Sequence, residues 1–242
     1  MVDNLTQAAD RVWVFPFDPD THKVQPSVGV ISTDQQTVLV DGGNSPEHAQ
    51  RIQAALRGIG ARPVSHIIYT HHHWDHVYGA SVFDVPVVAH ELTQKLLQEQ
   101  AAKPLGPAYL EEQIRKDPKR EVSYRAQLNL IKDWDNFQIV IPSITFSRKM
   151  TLPLEGITVE LEHVGGEHAP DSIVVRVKEA RVMFMGDCFY PGGKRTRVDY
   201  RMLNTLLSDS SMDLFIHGHS APIKRSEVFK VWAVKLLSRF MG

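Results

Sequence analysis

The chain has 242 residues, 43% of them hydrophobic and 23% charged, with a formal net charge of -1. That is the composition of a globular protein with enough chain for one large layered domain or two small ones. The balanced charge and the lack of an aromatic-basic stripe argue against nucleic acid as a partner, and one cysteine excludes an internal disulfide framework. No apolar run approaches membrane-spanning length, and the N-terminus MVDNLTQAADRVWVF lacks the basic start and apolar core of a secretory signal. The expectation is therefore cytoplasmic residence with no membrane partner.

Residues 11–17, 27–32 and 36–40 read as strands, with Thr33-Asp34-Gln35 as a tight turn between the last two. The third ends in Asp41-Gly42-Gly43. Residues 46–59 read as an amphipathic helix with Ile52, Ala55, Leu56 and Ile59 on one face, stopped by Gly60. The apolar run 64–69 reads as a buried strand, and 86–89 as another. Residues 92–102 and 109–116 read as helices on either side of Lys103-Pro104-Leu105-Gly106-Pro107, and the polar stretch 117–135 extends the helical region. The block at about 91–137 is thus a helical insertion in a strand-rich chain. It is either a lid or substrate-shaping element, or a decoration that never meets substrate. Beyond it, residues 139–146, 151–153, 157–163, 172–177, 182–185 and 214–216 read as strands, and 198–207 and 223–241 as helices. Strands and helices in both halves imply two facing sheets with helices outside, in a single domain over 1–242.

The most informative stretch is Thr70-His71-His72-His73-Trp74-Asp75-His76, directly after the strand at 64–69. His71, His73, Asp75 and His76 form an H-x-H-x-D-H pattern of potential metal ligands. Ligands at a rigid strand end are held in place, and those on the loop beyond can converge on them. Neutral imidazole with carboxylate suits zinc, and iron and manganese accept the same mixture. His72 lies between the ligand positions and is expected to point elsewhere.

A catalytic zinc takes three protein ligands and keeps a position for water, so further ligands are sought at other strand ends. His168 is the natural candidate in Gly165-Gly166-Glu167-His168-Ala169-Pro170-Asp171-Ser172; His163 lies inside a strand and reads as structural. Asp187 follows Gly186 directly after a buried apolar strand, where a carboxylate is costly unless paired or metal-bound. His219, beyond Gly218, is better placed on its loop than His217. Singly each of these is weak, because a lone His or Asp at a strand end usually packs or caps. Their number and order are what carry the signal.

With these motifs the chain resembles the metallo-β-lactamase superfamily over nearly its whole length, from Asp41-Gly42-Gly43 through the histidine cluster and His168 to Gly186-Asp187 and Gly218-His219. The resemblance implies an α/β (α+β) fold, the four-layer αββα sandwich of the metallo-β-lactamase fold, with a one- or two-metal site at one edge. It implies a first ion on His71, His73 and His168 and a second on Asp75, His76 and His219, with Asp187 bridging. That amounts to two Zn2+, with iron or manganese as the alternatives. Asp41 matches an aspartate that supports the site by holding an imidazole.

Two ions about 3.5–4 Å apart share a water and lower its pKa towards about 7. The implied activity is a zinc-dependent hydrolase using a metal-bound hydroxide on a small-molecule acyl substrate: an ester, thioester, lactone or amide. Asp75 is the catalytic residue in this reading, a ligand that also orients the nucleophile or shuttles its proton. Only weak β-lactam hydrolysis is expected. Asp187 occupies the slot of the cysteine ligand, with Cys188 one residue later, and Tyr190 the slot of the carboxylate-binding lysine, with Lys194 displaced by four. The glutathione-binding extension of glyoxalase-II-type thioesterases, the large inserted domain of the nucleases and the glutamate of the flavodiiron branch are not matched. A mononuclear iron-dependent persulfide dioxygenase has an overlapping ligand set and stays open, as does a non-catalytic metal-binding module. Cys188 reads as a small buried hydrophobe. Tyr190, Lys194 and Arg195 read as solvated loop residues.

Overall fold

In the computed structural model, which describes residues 4–188 and 200–227, the first sheet starts antiparallel and becomes parallel. Its antiparallel part is β1 (Thr6–Ala9), β2 (Val12–Phe15), β3 (Val28–Ser32) and β4 (Thr37–Val40). It continues in parallel through β5 (Val64–Ile68), β6 (Val87–His90) and β7 (Ile144–Phe146). Parallel neighbours need crossovers, and helices supply them. Helix α1 (Pro46–Gly58) connects β4 to β5, and the short α2 (Trp74–Val77) follows β5. The block between β6 and β7 holds α3 (Glu91–Ala101), α4 (Pro107–Lys116), a 3-10 turn (Pro118–Arg120) and α5 (Glu121–Leu130).

The second sheet contains β8 (Lys149–Leu154), β9 (Ile157–His163), β10 (Ile173–Val177), β11 (Val182–Phe184), β12 (Leu214–Ile216) and β13 (Ile223–Lys224), neighbours in that order. Only β11 and β12 are parallel, and α6 (Tyr200–Ser208) lies between them in the chain.

The period of two along a strand decides the layers. In β10, Ile173, Val175 and Val177 face the first sheet while Val174 faces outward. In β3, Ile31 faces the second sheet while Val28 and Val30 face the helices. The inter-sheet core joins Val12, Val14, Val38, Val40 and Ile68 to Val159, Leu161, Val182, Phe184 and Ile216. On the outer side of the first sheet lie Ile52 and Leu56 of α1, Trp74 and Val77 of α2, and Leu97 and Ala126 of the helical block. On the outer side of the second, Leu206 of α6 packs with Met183, Met185 and Phe215. This is the expected αββα sandwich.

Helix α1 begins where the sequence says it should: Ser45 accepts a hydrogen bond from His48 N at 3.1 Å, with Pro46 in the first turn. It ends one residue early. Ile59 is the cap and is 41% exposed, so it leaves the apolar stripe assigned to it. Other elements differ too. Within 139–146 only Ile144–Phe146 joins the sheet; Pro142, just upstream, cannot donate to a ladder. Ile223 and Lys224, expected to open a helix, instead pair with Phe215 and Leu214 and complete the sheet edge. Strand β1 carries no apolar alternation in TQAA and exists through its pairing with β2. Tyr190, Lys194, Arg195, residues 198–199 and most of the C-terminal helix expected at 223–241 lie outside the described residues. No helix among the described residues is long and apolar enough to cross a membrane.

Candidate metal centre

The strands β4, β5, β11 and β12 deliver their following loops to one edge of the sandwich. Asp41 follows β4, Thr70 and His71 follow β5, Asp187 follows β11, and His217-Gly218-His219 follows β12. Helix α2 carries Asp75 and His76, with His73 as its N-cap residue. His168 comes from the connection between β9 and β10. These loops are stitched together by backbone bonds: Ile173 N–H to Thr70 O (2.9 Å), Gly42 N–H to His76 O (2.7 Å) and Gly218 N–H to Gly186 O (2.9 Å).

All the side chains named as ligands from the sequence meet here, in two sets. Nitrogens of His71, His73 and His168 lie within 4.8 Å of one another, and so do ligand atoms of Asp75, His76, Asp187 and His219. Asp187 touches both sets. Its Oδ2 is 3.4 Å from His168 Nε2, 4.0 Å from His71 Nε2 and 3.6 Å from His219 Nε2, and its Oδ1 is 3.4 Å from His76 Nε2. Two ligands each about 2.0–2.1 Å from a tetrahedral zinc stand about 3.3 Å apart. The Nε2 atoms of His71 and His168 are 3.3 Å apart.

The proton positions fit the same purpose. Asp41 Oδ2 is 2.7 Å from His76 Nδ1, which places an N–H there and turns Nε2 towards Asp75 and Asp187. The Thr70 hydroxyl donates to the same carboxylate oxygen at 2.9 Å, so its oxygen accepts from His71 Nδ1 at 3.1 Å. His71 Nε2 is thereby also a lone-pair donor facing the cluster. One carboxylate thus orients both rings, and Thr70 N–H donates to its other oxygen at 2.7 Å.

The two sets differ in electrostatics. Burial, with His76 and His73 nearby, holds His71 well below the usual imidazole range. Burial and His168 bring His73 down to about 4, and burial lowers His168. This set is neutral at pH 7, as metal ligation requires. In the other set burial also pulls on His76, but Asp187, Asp41 and Asp75 outweigh it and hold the imidazole well above its usual range. His219 is raised against burial by Asp187 and Asp75. Conversely, burial would raise Asp187 and Asp75, yet His76 and His219 hold both low. The four groups form a buried, charge-compensated set, and a divalent cation would replace its protons.

Two glycines make the approach possible. A Cβ on Gly218 would overlap Asp187 Oδ1 and come within 2.9 Å of His76 Cε1. Gly186 sits at φ +48°, and a Cβ there would be 2.7 Å from Thr70 Oγ1.

The residues set aside go elsewhere. His72 Nδ1 bonds Asp171 Oδ1 at 2.7 Å. His163 bonds the Pro170 carbonyl at 2.9 Å and stacks on His90 at 3.8 Å. His217 is buried at the end of β12, outside both sets. Cys188 is buried with Met183, Met185 and Phe215. What the sequence reading missed is the framework: Thr70, which relays Asp41 to His71, and Asp171. The Asp171 carboxylate is fully buried and accepts from both His72 and Thr93 Oγ1, each at 2.7 Å. It joins α3, the first histidine loop and the loop of His168. The only signal was its place three residues after a ligand histidine.

Similarity to known proteins accords with this geometry. The sequence model of the metallo-β-lactamase superfamily matches residues 23–215. A linear primary-alkylsulfatase from Pseudomonas sp. (strain ATCC 19151) is 25% identical over 178 residues, 65% of this chain; the chain spans 32% of that relative's length. Among solved structures, a metallo-β-lactamase from Hirschia baltica aligns with TM-score 0.64 and 17% identity over 94% of this chain and 95% of its own. One from Pontibacter korlensis aligns with TM-score 0.62 and 18% identity over 92% and 94%. These two structures show the fold. With a family match over most of its length and histidine and aspartate sets able to hold metal at the edge of that fold, the chain belongs to the metallo-β-lactamase superfamily.

Proposed function

We propose that the protein is a single-domain, cytoplasmic, zinc-dependent hydrolase of a small acyl substrate: an ester, thioester, lactone or amide. One zinc would be held by His71, His73 and His168 and a second by Asp75, His76 and His219, with Asp187 between them. The observation that carries this reading is the division of the ligand atoms into two sets that meet at Asp187. Bound there, divalent zinc supplies Lewis acidity towards a scissile carbonyl and acidifies water. The chain's own part is positional. Asp41 and Thr70 keep the ligand lone pairs aimed inward. Asp75, buried and held in its ionised form, has Oδ2 within 2.9 Å of His219 Nε2 and serves to orient the nucleophile and take its proton. Manganese and iron fit the same donors.

A sulfate ester is a second reading of the substrate, favoured by the 25% identity to the linear primary-alkylsulfatase. The test is metal analysis of protein purified without added metal. A screen on zinc-loaded protein with p-nitrophenyl acetate, a thioester, a lactone, a β-lactam and an alkyl sulfate follows. Asp75→Ala should lower kcat/KM by about 10²–10⁴. Less than one equivalent of zinc with iron in its place sinks the zinc assignment and favours an oxygenase. Undiminished turnover by Asp75→Ala removes Asp75 from the chemistry.

A further inference from the structure

A cavity of about 280 Å³ lies between the ligand loop and the helical block, with walls from His72, His73 and Trp74 on one side and from α3, α4 and α5 on the other. It therefore shares His73 with the three-histidine set. Its size falls just under the ordinary range for ligand pockets, about 300–1,000 Å³, so it suits one end of a small molecule whose other end lies at the histidines.

Polar side chains predominate on the walls; the aliphatic share is Leu96, Leu105 and Leu110. Two bases, Lys103 and Arg120, stand against one acid, Glu99. Among the described residues no ion pair joins Glu99 to either base. Arg120 meets Asp117 through Nε at 3.6 Å, but both side chains are well solvated, and a pair of that kind contributes little. Asp117 is not on the wall, and the contact leaves the terminal nitrogens of the guanidinium for a ligand. Hydroxyl donors accompany the bases. Ser123 Oγ accepts from Trp74 Nε1–H at 2.9 Å and so keeps its own hydrogen to give, and Tyr109 and Tyr124 line the same space. The surplus of positive charge, with these donors beside it, favours an anion over a neutral or cationic group.

We propose that this cavity receives an anionic end of the substrate, a carboxylate on a short chain, held by Lys103 and Arg120, while the scissile group lies at the histidine cluster. Arginine offers the carboxylate a planar fork of N–H donors and lysine a point charge, so the two bases act together without competing for one geometry. The helical insertion is then the specificity element, because it supplies both bases. This rests on the hydrolase reading above and narrows its substrate to an acyl compound that carries a second, charged end.

The experiment compares, on zinc-loaded protein, the mono-p-nitrophenyl esters of glutaric, adipic and suberic acids with the p-nitrophenyl esters of pentanoic, hexanoic and octanoic acids. Each pair has the same chain length and differs in the terminal carboxylate. At one length or more, kcat/KM for the charged ester should exceed that for its neutral partner by about tenfold, the worth of one charge-assisted hydrogen bond. Lys103→Gln with Arg120→Gln should bring that ratio close to one. Lys103→Arg with Arg120→Lys, which keeps both charges, should restore most of it, and this separates lost charge from misfolding. Calorimetric titration with adipate needs no turnover: its Kd should rise about tenfold in the double glutamine variant. A ratio that is the same in wild type and the double glutamine variant at every length overturns the proposal. So does an equal adipate Kd in the two proteins, which would put the carboxylate on zinc and not in the cavity. If no ester is turned over, the acyl-hydrolase reading fails, and the adipate comparison alone decides the cavity.

Discussion

Asp41 holds a left-handed backbone, φ +70°, which aspartate tolerates better than most residues, and from there its carboxylate reaches Thr70 and His76. Strain of that kind persists where surrounding structure over-determines it. The protons it arranges have a measurable consequence. His71, His73 and His168 all titrate below the ordinary imidazole range, so metal binding to them displaces few protons at pH 6–8. His76 and His219 titrate above it, so an ion entering their set must expel protons. Raising the pH from 6 to 8 should therefore strengthen binding at the Asp75–His76–Asp187–His219 set more than at the three-histidine set. Competition with a chelator at the two pH values, resolved into two equivalents, checks this. Equal pH slopes for both equivalents would refute the charge assignment.

Elements act here through what they carry. Helix α3 carries Thr93, whose hydroxyl donates to Asp171, and α5 carries Ser123, whose hydroxyl accepts from Trp74 Nε1, so the insertion braces both histidine loops whether or not it touches substrate. Asp171→Ala should cost about 1–3 kcal/mol for each buried donor left unsatisfied, and should also weaken metal at the three-histidine set by about 10–100-fold. A loss of stability with unchanged metal affinity would reduce Asp171 to a structural brace. This network was not legible in the sequence because Asp171 is 99 residues from His72 and 78 from Thr93. The H-x-H-x-D-H cluster was legible because its ligands are neighbours in the chain. The elements follow the same division. The strand at Ile157–His163 was set by its own alternation, whereas β1 and β13 exist through pairing with neighbours, which a local pattern does not encode.

Across the whole molecule, the proposed ligands come from both halves of the sandwich. His71, His73, Asp75 and His76 sit on the first sheet's edge, and His168, Asp187 and His219 on the second's. Ions bound between them would tie the two halves together. Chelation should therefore lower the melting temperature, by roughly 10 °C where free metal exceeds its Kd a thousandfold. Differential scanning calorimetry with and without EDTA measures it, and no shift would mean that the ions do not link the sheets. The sequence by itself determined the layer order and marked the four clustered candidate ligands, because strand period, strand-end position and local spacing are properties of adjacent residues. Only the tertiary structure decided that Asp187 stands between two sets, that Asp41 orients two imidazoles, and that the insertion encloses a cavity beside His73. Those facts depend on distances between residues far apart in the chain, and packing alone sets such distances.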